Sequence, residues 1–241
     1  MMIRRLAALA TILLLLSPAD GGSEDGAAAP QGATLVVRVV LRGAAAPSRT
    51  LEVARDRETC GETATTHSMV VDPATRGLRD AAVWIDAPPL RRASRTAATI
   101  PPASLTNRGC RFEPPMLLAQ VGGRIEVRND DPILHNTHIA ATDRTFLNIA
   151  MPAGTPPVAK LVREEGVLTV QCDAHPFMRA AVLALDHDVA AATGAAGLAR
   201  IAGLPPGLRT VRVWHAALGE LARQVVVPEQ GLVTVTFEYG G

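Results

Sequence analysis

The sequence predicts an all-β protein built from antiparallel sandwiches. From about residue 34 onward, apolar and polar residues alternate with a period of two in several short runs, as in strands that bury one face. The chain also contains 20 glycines and 18 prolines, enough for many turns between strands. Because 48% of its 241 residues are hydrophobic, the chain can bury a large core, and we exclude a disordered protein.

The alternation is clearest in four runs. Residues 35–41 place leucines and valines on one face and arginine on the other, and residues 124–128 repeat this pattern with isoleucine and valine. Residues 168–172 alternate apolar side chains with threonine and glutamine, and residues 233–239 end the chain in the same way. The Ala-rich stretch 187–199 resembles a helix in composition, but its glycines and threonine weaken that interpretation.

The N-terminus predicts export. Residues 1–19 have the features of a secretory signal peptide: two arginines, the apolar run Leu6–Leu16, and small residues at a cleavage site. The apolar run is shorter than the ~20 residues that a membrane span needs. We therefore expect a periplasmic or secreted protein with no membrane span in the mature chain, and residues 20–33 have the composition of a flexible linker.

The chain has three cysteines, an odd number. In an oxidising compartment two cysteines pair and one remains for another role. Cys60 and Cys110 lie in polar loops and are the better candidates for a disulfide, whereas Cys172 ends an apolar strand. The alternative is a disulfide between Cys172 and one of the other two cysteines, which would leave His175 an ordinary surface histidine.

The loop that begins at Cys172 carries ligands that favour copper. Cys172, His175 and Met178 offer a thiolate, an imidazole and a thioether within seven residues. Two histidines and one cysteine in a trigonal plane, with a weak axial methionine, form the blue-copper electron-transfer site. This loop lacks the second imidazole, so we expect it from a neighbouring strand.

His135 is the expected second imidazole because it follows another alternating strand and a turn. His138 is the competing choice. An offset of three residues places these two histidines on opposite faces of an extended strand, so only one of them points inward.

The arrangement of these residues resembles the cupredoxin family, closely over residues 100–186 and more loosely over 34–99. The resemblance implies a Greek-key cupredoxin-like β-sandwich over residues 34–186. The motifs that carry it are Phe112-Glu113-Pro114, Val121-Gly122-Gly123, Asn129-Asp130, His135-Asn136 and the Cys172…His175…Met178 spacing.

The C-terminal segment, residues 187–241, resembles a transthyretin-like, or carboxypeptidase-regulatory-like, module. Leu204-Pro205-Pro206-Gly207 followed by Val211–His215 carries this resemblance. Exported bacterial proteins that join these two modules include some labelled methylamine-utilisation proteins. The resemblance implies a second, smaller β-sandwich after a boundary near Asp186.

The cupredoxin resemblance implies one copper ion with His135, Cys172 and His175 as equatorial ligands and Met178 as the axial ligand. The chemistry of the residues alone indicates the same four.

Three further residues are expected to support these ligands. Asn136 should join the two ligand loops by hydrogen bonds. Pro176 and Phe177 should exclude water around His175, whose ring edge is the expected route for electrons.

We therefore predict a periplasmic mononuclear type 1 copper protein that carries single electrons. We expect no enzymatic activity, because the chain offers no open coordination position combined with acid–base groups. The expected partner is a redox protein such as a c-type cytochrome or a dehydrogenase, and we expect a monomer. The net charge of +1 argues against a nucleic-acid partner. The alternatives are copper delivery without redox turnover and an envelope interaction protein with a vestigial site.

Overall fold

The computed structural model describes residues 32–86 and 100–240, and its regular structure is almost entirely β, as predicted. The predicted signal peptide and residues 20–31 of the predicted linker lie outside these ranges. Within them, no helix is long and apolar enough to cross a bilayer.

The regular elements follow one another as short strands with a single helical turn in the described ranges. The N-terminal elements are β1 (Ala33–Leu41), β2 (Arg49–Glu52), α1 (Arg57–Cys60), β3 (Thr63–Thr66), β4 (Ala82–Ile85), β5 (Ala103–Asn107), β6 (Phe112–Glu113), β7 (Met116–Gln120), β8 (Arg124–Asn129) and β9 (His135–Ala140). The C-terminal elements are β10 (Thr145–Met151), β11 (Val158–Leu161), β12 (Gly166–Gln171), β13 (Arg179–Leu185), β14 (Ala190–Ala192), β15 (Leu198–Leu204), β16 (Gly207–His215), β17 (Gly219–Val227) and β18 (Gly231–Tyr239).

The first sandwich consists of a five-stranded sheet, in the order β10-β9-β12-β13-β7, and a four-stranded sheet, in the order β11-β8-β5-β6. Ile125 and Val127 of one sheet and Ile139, Val170 and Val182 of the other belong to one buried cluster. The predicted alternation in β8 and β12 therefore places the apolar faces of both strands in a shared core. We call this part of the molecule the first unit.

The second sandwich, here the second unit, combines strands from both ends of the described chain. Its sheets have the orders β15-β1-β18 and β14-β4-β16-β17. The boundary predicted near residue 186 falls between β13 and β14, yet β1 and β4 precede it and pair with strands that follow it. Alternation indicates that a segment is a strand but not which strand it pairs with. The sequence alone therefore does not place β1 and β4 with the strands that follow residue 186.

Strand direction also differs in part from the antiparallel expectation. β1 pairs in parallel with β18, β5 with β8, and β7 with β13. The Ala-rich stretch contributes the short strand β14 and the start of β15 rather than a helix.

The two units share an apolar interface. Trp84 of the second unit and Met116, Leu183 and Leu185 of the first lie in one buried cluster. Alternate residues of β13, such as Val182, face the core of the first unit. Both faces of β13 are therefore buried, which explains its continuous apolar sequence.

Tyr239 closes the core of the second unit, and we expect its hydroxyl to contribute to stability. The hydroxyl donates to the carbonyl oxygen of Gly219 at 2.8 Å and lies 3.3 Å from that of Val213. Tyr239→Phe should lower the free energy of unfolding by about 1 kcal/mol at neutral pH.

Burial raises the pKa of Tyr239 above its usual range. The unfolded tyrosine therefore ionises first, and the wild type loses stability as the pH rises above about 10.

Denaturant unfolding at neutral and alkaline pH measures both effects. Tyr239→Phe should lose less stability between these pH values than the wild type. Thr234→Val, which removes an exposed hydroxyl from the same strand, serves as the control. An identical alkaline loss in the wild type and in Tyr239→Phe would contradict the assignment.

Candidate metal centre

The five-stranded sheet of the first unit brings the predicted ligands His135 and Cys172 together at one of its ends. β9 and β12 are antiparallel neighbours, with Gln171 paired to His138. The start of β9, at His135, therefore lies beside the end of β12, where Cys172 follows. The backbone amide of Asn136 donates to the sulfur of Cys172 at 3.3 Å, which joins the two segments directly.

Three ligand atoms converge in this place. The sulfur of Cys172 lies 4.0 Å from Nδ1 of His135 and 3.7 Å from Nδ1 of His175. The exposed fractions of these three residues are 1%, 0% and 1%. Cys172 is the free cysteine of the described chain.

The separations fit a single metal ion. Bonds of about 2.0 Å to imidazole nitrogen and about 2.3 Å to sulfur, at trigonal angles, place each nitrogen about 3.7 Å from the sulfur. The observed 3.7 and 4.0 Å agree with that value. The spacing therefore fits one bound metal ion, and two imidazoles with a thiol are a donor set that suits copper.

The outer nitrogen of each imidazole is within hydrogen-bond distance of an aspartate carboxylate. Nε2 of His135 lies 2.8 Å from Oδ2 of Asp131, and Nε2 of His175 lies 3.0 Å from Oδ2 of Asp56. An ionised carboxylate only accepts hydrogen bonds, so each Nε2 carries the ring proton. In the neutral ring Nδ1 then keeps its lone pair, and this lone pair faces the sulfur. This tautomer is the one that binds a metal through Nδ1.

Asp131 is itself held in place. The backbone amides of Gly109 and Cys110 donate to its two carboxylate oxygens at 2.7 and 2.8 Å. Burial acts to raise the pKa of Asp131, but these hydrogen bonds and the one from His135 hold that pKa below its usual range. Burial lowers the pKa of His135 despite the opposing effect of Asp131, so the ring is neutral at neutral pH.

A disulfide joins Cys60 to Cys110 and confirms the predicted pairing. The alternative pairings through Cys172 are therefore wrong. Cys110, Asp131 and His135 also lie close together, but the sulfur of Cys110 is committed to the disulfide and is not a free thiolate. Among the residues that the structure describes, this leaves the group of Cys172 with the two histidines as the metal-binding candidate.

Met178 lies in the same loop and is 2% exposed, within the core that also contains Cys172. The loop is closed by its backbone: the amide of Met178 donates to the carbonyl oxygen of His175 at 2.9 Å. The amide of Cys172 donates back to the carbonyl oxygen of Met178 at 3.4 Å. Met178 is thus a buried residue of the loop that carries Cys172 and His175.

The supporting residues occupy different environments. Asn136 accepts from the amide of Asp173 at 3.3 Å and donates to Asn148 at 2.7 Å, so it connects both ligand segments with β10. The ring of Phe177 packs against that of His175, with centroids 5.6 Å apart, whereas Pro176 is exposed. His138 points away from the group, with its side chain 23% exposed near Asp173.

The ring edge of His175, the expected route for electrons, is buried in the structure. The residue is 1% exposed, and Asp56 lies against its outer nitrogen. Asp56 is separated from His175 by 119 residues in sequence, and no local pattern connects them. Asp131 lies four residues before His135, so its spacing to that ligand is visible in the sequence.

Asn129 fixes the turn that presents His135. Its side-chain nitrogen donates to the carbonyl oxygens of Ile133 and Met151, both at 2.8 Å, and its oxygen accepts from the amide of Asp131. Asn129→Asp replaces this donor with a carboxylate facing two carbonyl oxygens. We expect it to lower the free energy of unfolding by about 2–3 kcal/mol.

Thermal or denaturant unfolding of the metal-free protein measures this change. Asn148→Asp is the matched control, because Asn148 is exposed and its oxygen accepts a hydrogen bond that a carboxylate can also accept. Equal stability of the two variants would show that Asn129 does not anchor the turn.

No protein-family model matches the chain, nor does any curated protein. Solved structures similar to it include a purple cupredoxin from Nitrosopumilus maritimus, at 22% identity and a TM-score of 0.31, with 34% of this chain and 99% of that one covered. Amicyanin from Paracoccus versutus is 18% identical with a TM-score of 0.32, over 43% and 97% of the two chains. A copper-containing nitrite reductase from Thermus scotoductus SA-01 is 19% identical with a TM-score of 0.34; 41% of this chain is covered, but only 27% of the enzyme.

Proposed function

We propose that this protein is a mononuclear copper protein of the cupredoxin type that carries single electrons between redox partners. The observation that carries the proposal is the buried convergence of Cys172 with the Nδ1 atoms of His135 and His175. These are the ligand types of a blue-copper site, and Met178 is the proposed axial ligand. A copper ion held by this set supplies a one-electron couple.

The surrounding protein favours electron transfer over catalysis. The ligands come from the ends of two paired strands, and hydrogen bonds to Asp131 and Asp56 fix both imidazole rings. A fixed ligand set needs little rearrangement when the charge of the centre changes. All three donors are buried away from solvent, which supports our proposal of a carrier rather than an enzyme.

We also propose that the protein works in an oxidising, exported compartment. Disulfides such as the one between Cys60 and Cys110 persist in oxidising compartments outside the cytoplasm, which agrees with the predicted signal peptide. The second unit, proposed to be transthyretin-like, buries Trp84 against β7 and β13. We assign it a stabilising role toward the sheet that carries Cys172.

Copper titration of the metal-free mature protein tests the proposal. We expect one equivalent of Cu(II) to bind and to produce an intense visible thiolate-to-copper band with the EPR spectrum of a single site. A colourless complex, or incomplete and weak binding, would contradict the proposal and favour a vestigial site.

A measured reduction potential distinguishes the carrier from a copper-delivery protein. A carrier should be reduced and reoxidised reversibly while it keeps its metal. Transfer of Cu(I) to an acceptor apoprotein, without reversible redox cycling, would instead favour delivery.

A further inference from the structure

Asp56 immediately precedes α1 but does not cap it. Aspartate at this position normally accepts a hydrogen bond from an amide in the first helical turn. Here the side chain makes no such bond, and the backbone lies in the left-handed region, with φ 58° and ψ 34°. The carboxylate instead lies 3.0 Å from Nε2 of His175.

The segment around Asp56 is anchored to the first unit. We call residues 53–62 the cap segment, since the amide of Val53 donates to the carbonyl oxygen of Glu62 and closes it into a loop. The amide of Cys60 donates to the carbonyl oxygen of Asp56 at 2.8 Å. Cys60 in turn is bonded to Cys110, so the disulfide lies one helical turn from Asp56.

The exposure of the carboxylate distinguishes this contact from the one at His135, where the side chain of Asp131 is 7% exposed. His175 is 1% exposed, whereas the side chain of Asp56 is 35% exposed and reaches the ring from the solvent side. The cap segment lies far from His175 in sequence and contributes none of the three donors. Its contact with the centre is therefore made through the outer edge of one imidazole.

We propose that Asp56 is a positioning residue for His175 and that the cap segment closes the metal centre on this side. This inference rests on the proposed function. The carboxylate holds the proton on Nε2 and turns Nδ1 toward the sulfur of Cys172. A carboxylate on the outer nitrogen also makes an imidazole a more basic ligand. Asp56 therefore favours Cu(II) over the less charged Cu(I).

Three variants test this assignment. Asp56→Ala removes the acceptor, and Asp56→Asn removes the charge but keeps an oxygen, on a residue that also tolerates the left-handed backbone. Glu58→Gln removes an exposed charge from the same segment and is the matched control. In the metal-free proteins, nitrogen NMR shifts of His175 report which ring nitrogen carries the proton.

We expect His175 to be protonated on Nε2 in the wild type and in Glu58→Gln, and to become a mixture of tautomers in Asp56→Ala. Affinity for Cu(II) should fall about 10–100-fold in Asp56→Ala and less in Asp56→Asn. The reduction potential should rise, by about 59 mV for each tenfold loss of Cu(II) affinity relative to Cu(I). Glu58→Gln should match the wild type in all three measurements.

The outcomes separate this inference from the function on which it rests. Equal losses of Cu(I) and Cu(II) affinity, with an unchanged potential and tautomer, would mean that Asp56 has only a structural role and would overturn the inference. Equal behaviour of Asp56→Ala and Glu58→Gln would also overturn it while leaving the copper function intact. A wild-type protein that binds no copper overturns both.

Discussion

Cys172→Ser should abolish the intense visible band of the copper-loaded protein. The band requires a thiolate bound to Cu(II), and Cys172 is the free cysteine of the described chain. A serine hydroxyl is a harder and weaker ligand for copper than a thiolate. Loss of a group that only supports a ligand typically lowers metal affinity about 10–100-fold. We expect Cys172→Ser to lower the affinity for copper by more than this. Optical spectra and competition with a copper chelator measure both effects.

The fold should survive this substitution. Serine is close to cysteine in size, and its oxygen still accepts the hydrogen bond from the amide of Asn136. Met116→Leu is a suitable control, because it removes another buried sulfur, at the interface between the two units. A Cys172→Ser protein that keeps the visible band would show that copper binds elsewhere and would refute the proposed site.

Most of the fold could be predicted from the sequence because burial on one face of a strand produces a visible alternation. The inward residues of β1, including Leu35, Val37 and Val39, are fully buried as their spacing predicts. Strand partners could not be predicted in the same way. β1 pairs with β18, nearly 200 residues away in sequence, and only tertiary packing determines that contact.

The candidate donors could be named from the sequence because a cysteine, a histidine and a methionine in one short loop form an unusual combination. The disulfide was also predictable, since both of its cysteines lie in polar stretches of the sequence. Asp56 could not be found in this way, because its distance in sequence from His175 conceals a contact of 3.0 Å. Its position before a helical turn would have favoured a capping role instead. Groups that orient ligands are thus harder to predict than the ligands themselves.

The disulfide joins two segments that contact Asp131 and Asp56, the residues whose carboxylates orient the imidazoles, and its removal should affect both. The amide of Cys110 donates to Asp131, and the amide of Cys60 donates to the carbonyl oxygen of Asp56. Cys60→Ser combined with Cys110→Ser opens a covalent loop spanning 50 residues. We expect the free energy of unfolding of the metal-free protein to fall by about 2–4 kcal/mol.

The same double variant should also hold copper less tightly, because the freed loops no longer fix Asp131 and Asp56 against the two rings. Release of copper to a chelator should be faster than in the wild type, and the gain in stability on adding copper should be smaller. Thr59→Ser combined with Arg111→Ser changes exposed neighbours of the two cysteines and controls for the substitutions themselves. If the disulfide variant loses stability but releases copper at the wild-type rate, the disulfide stabilises the fold without positioning the imidazoles. If both rates and stabilities match the control, the two carboxylates are held by their hydrogen bonds alone.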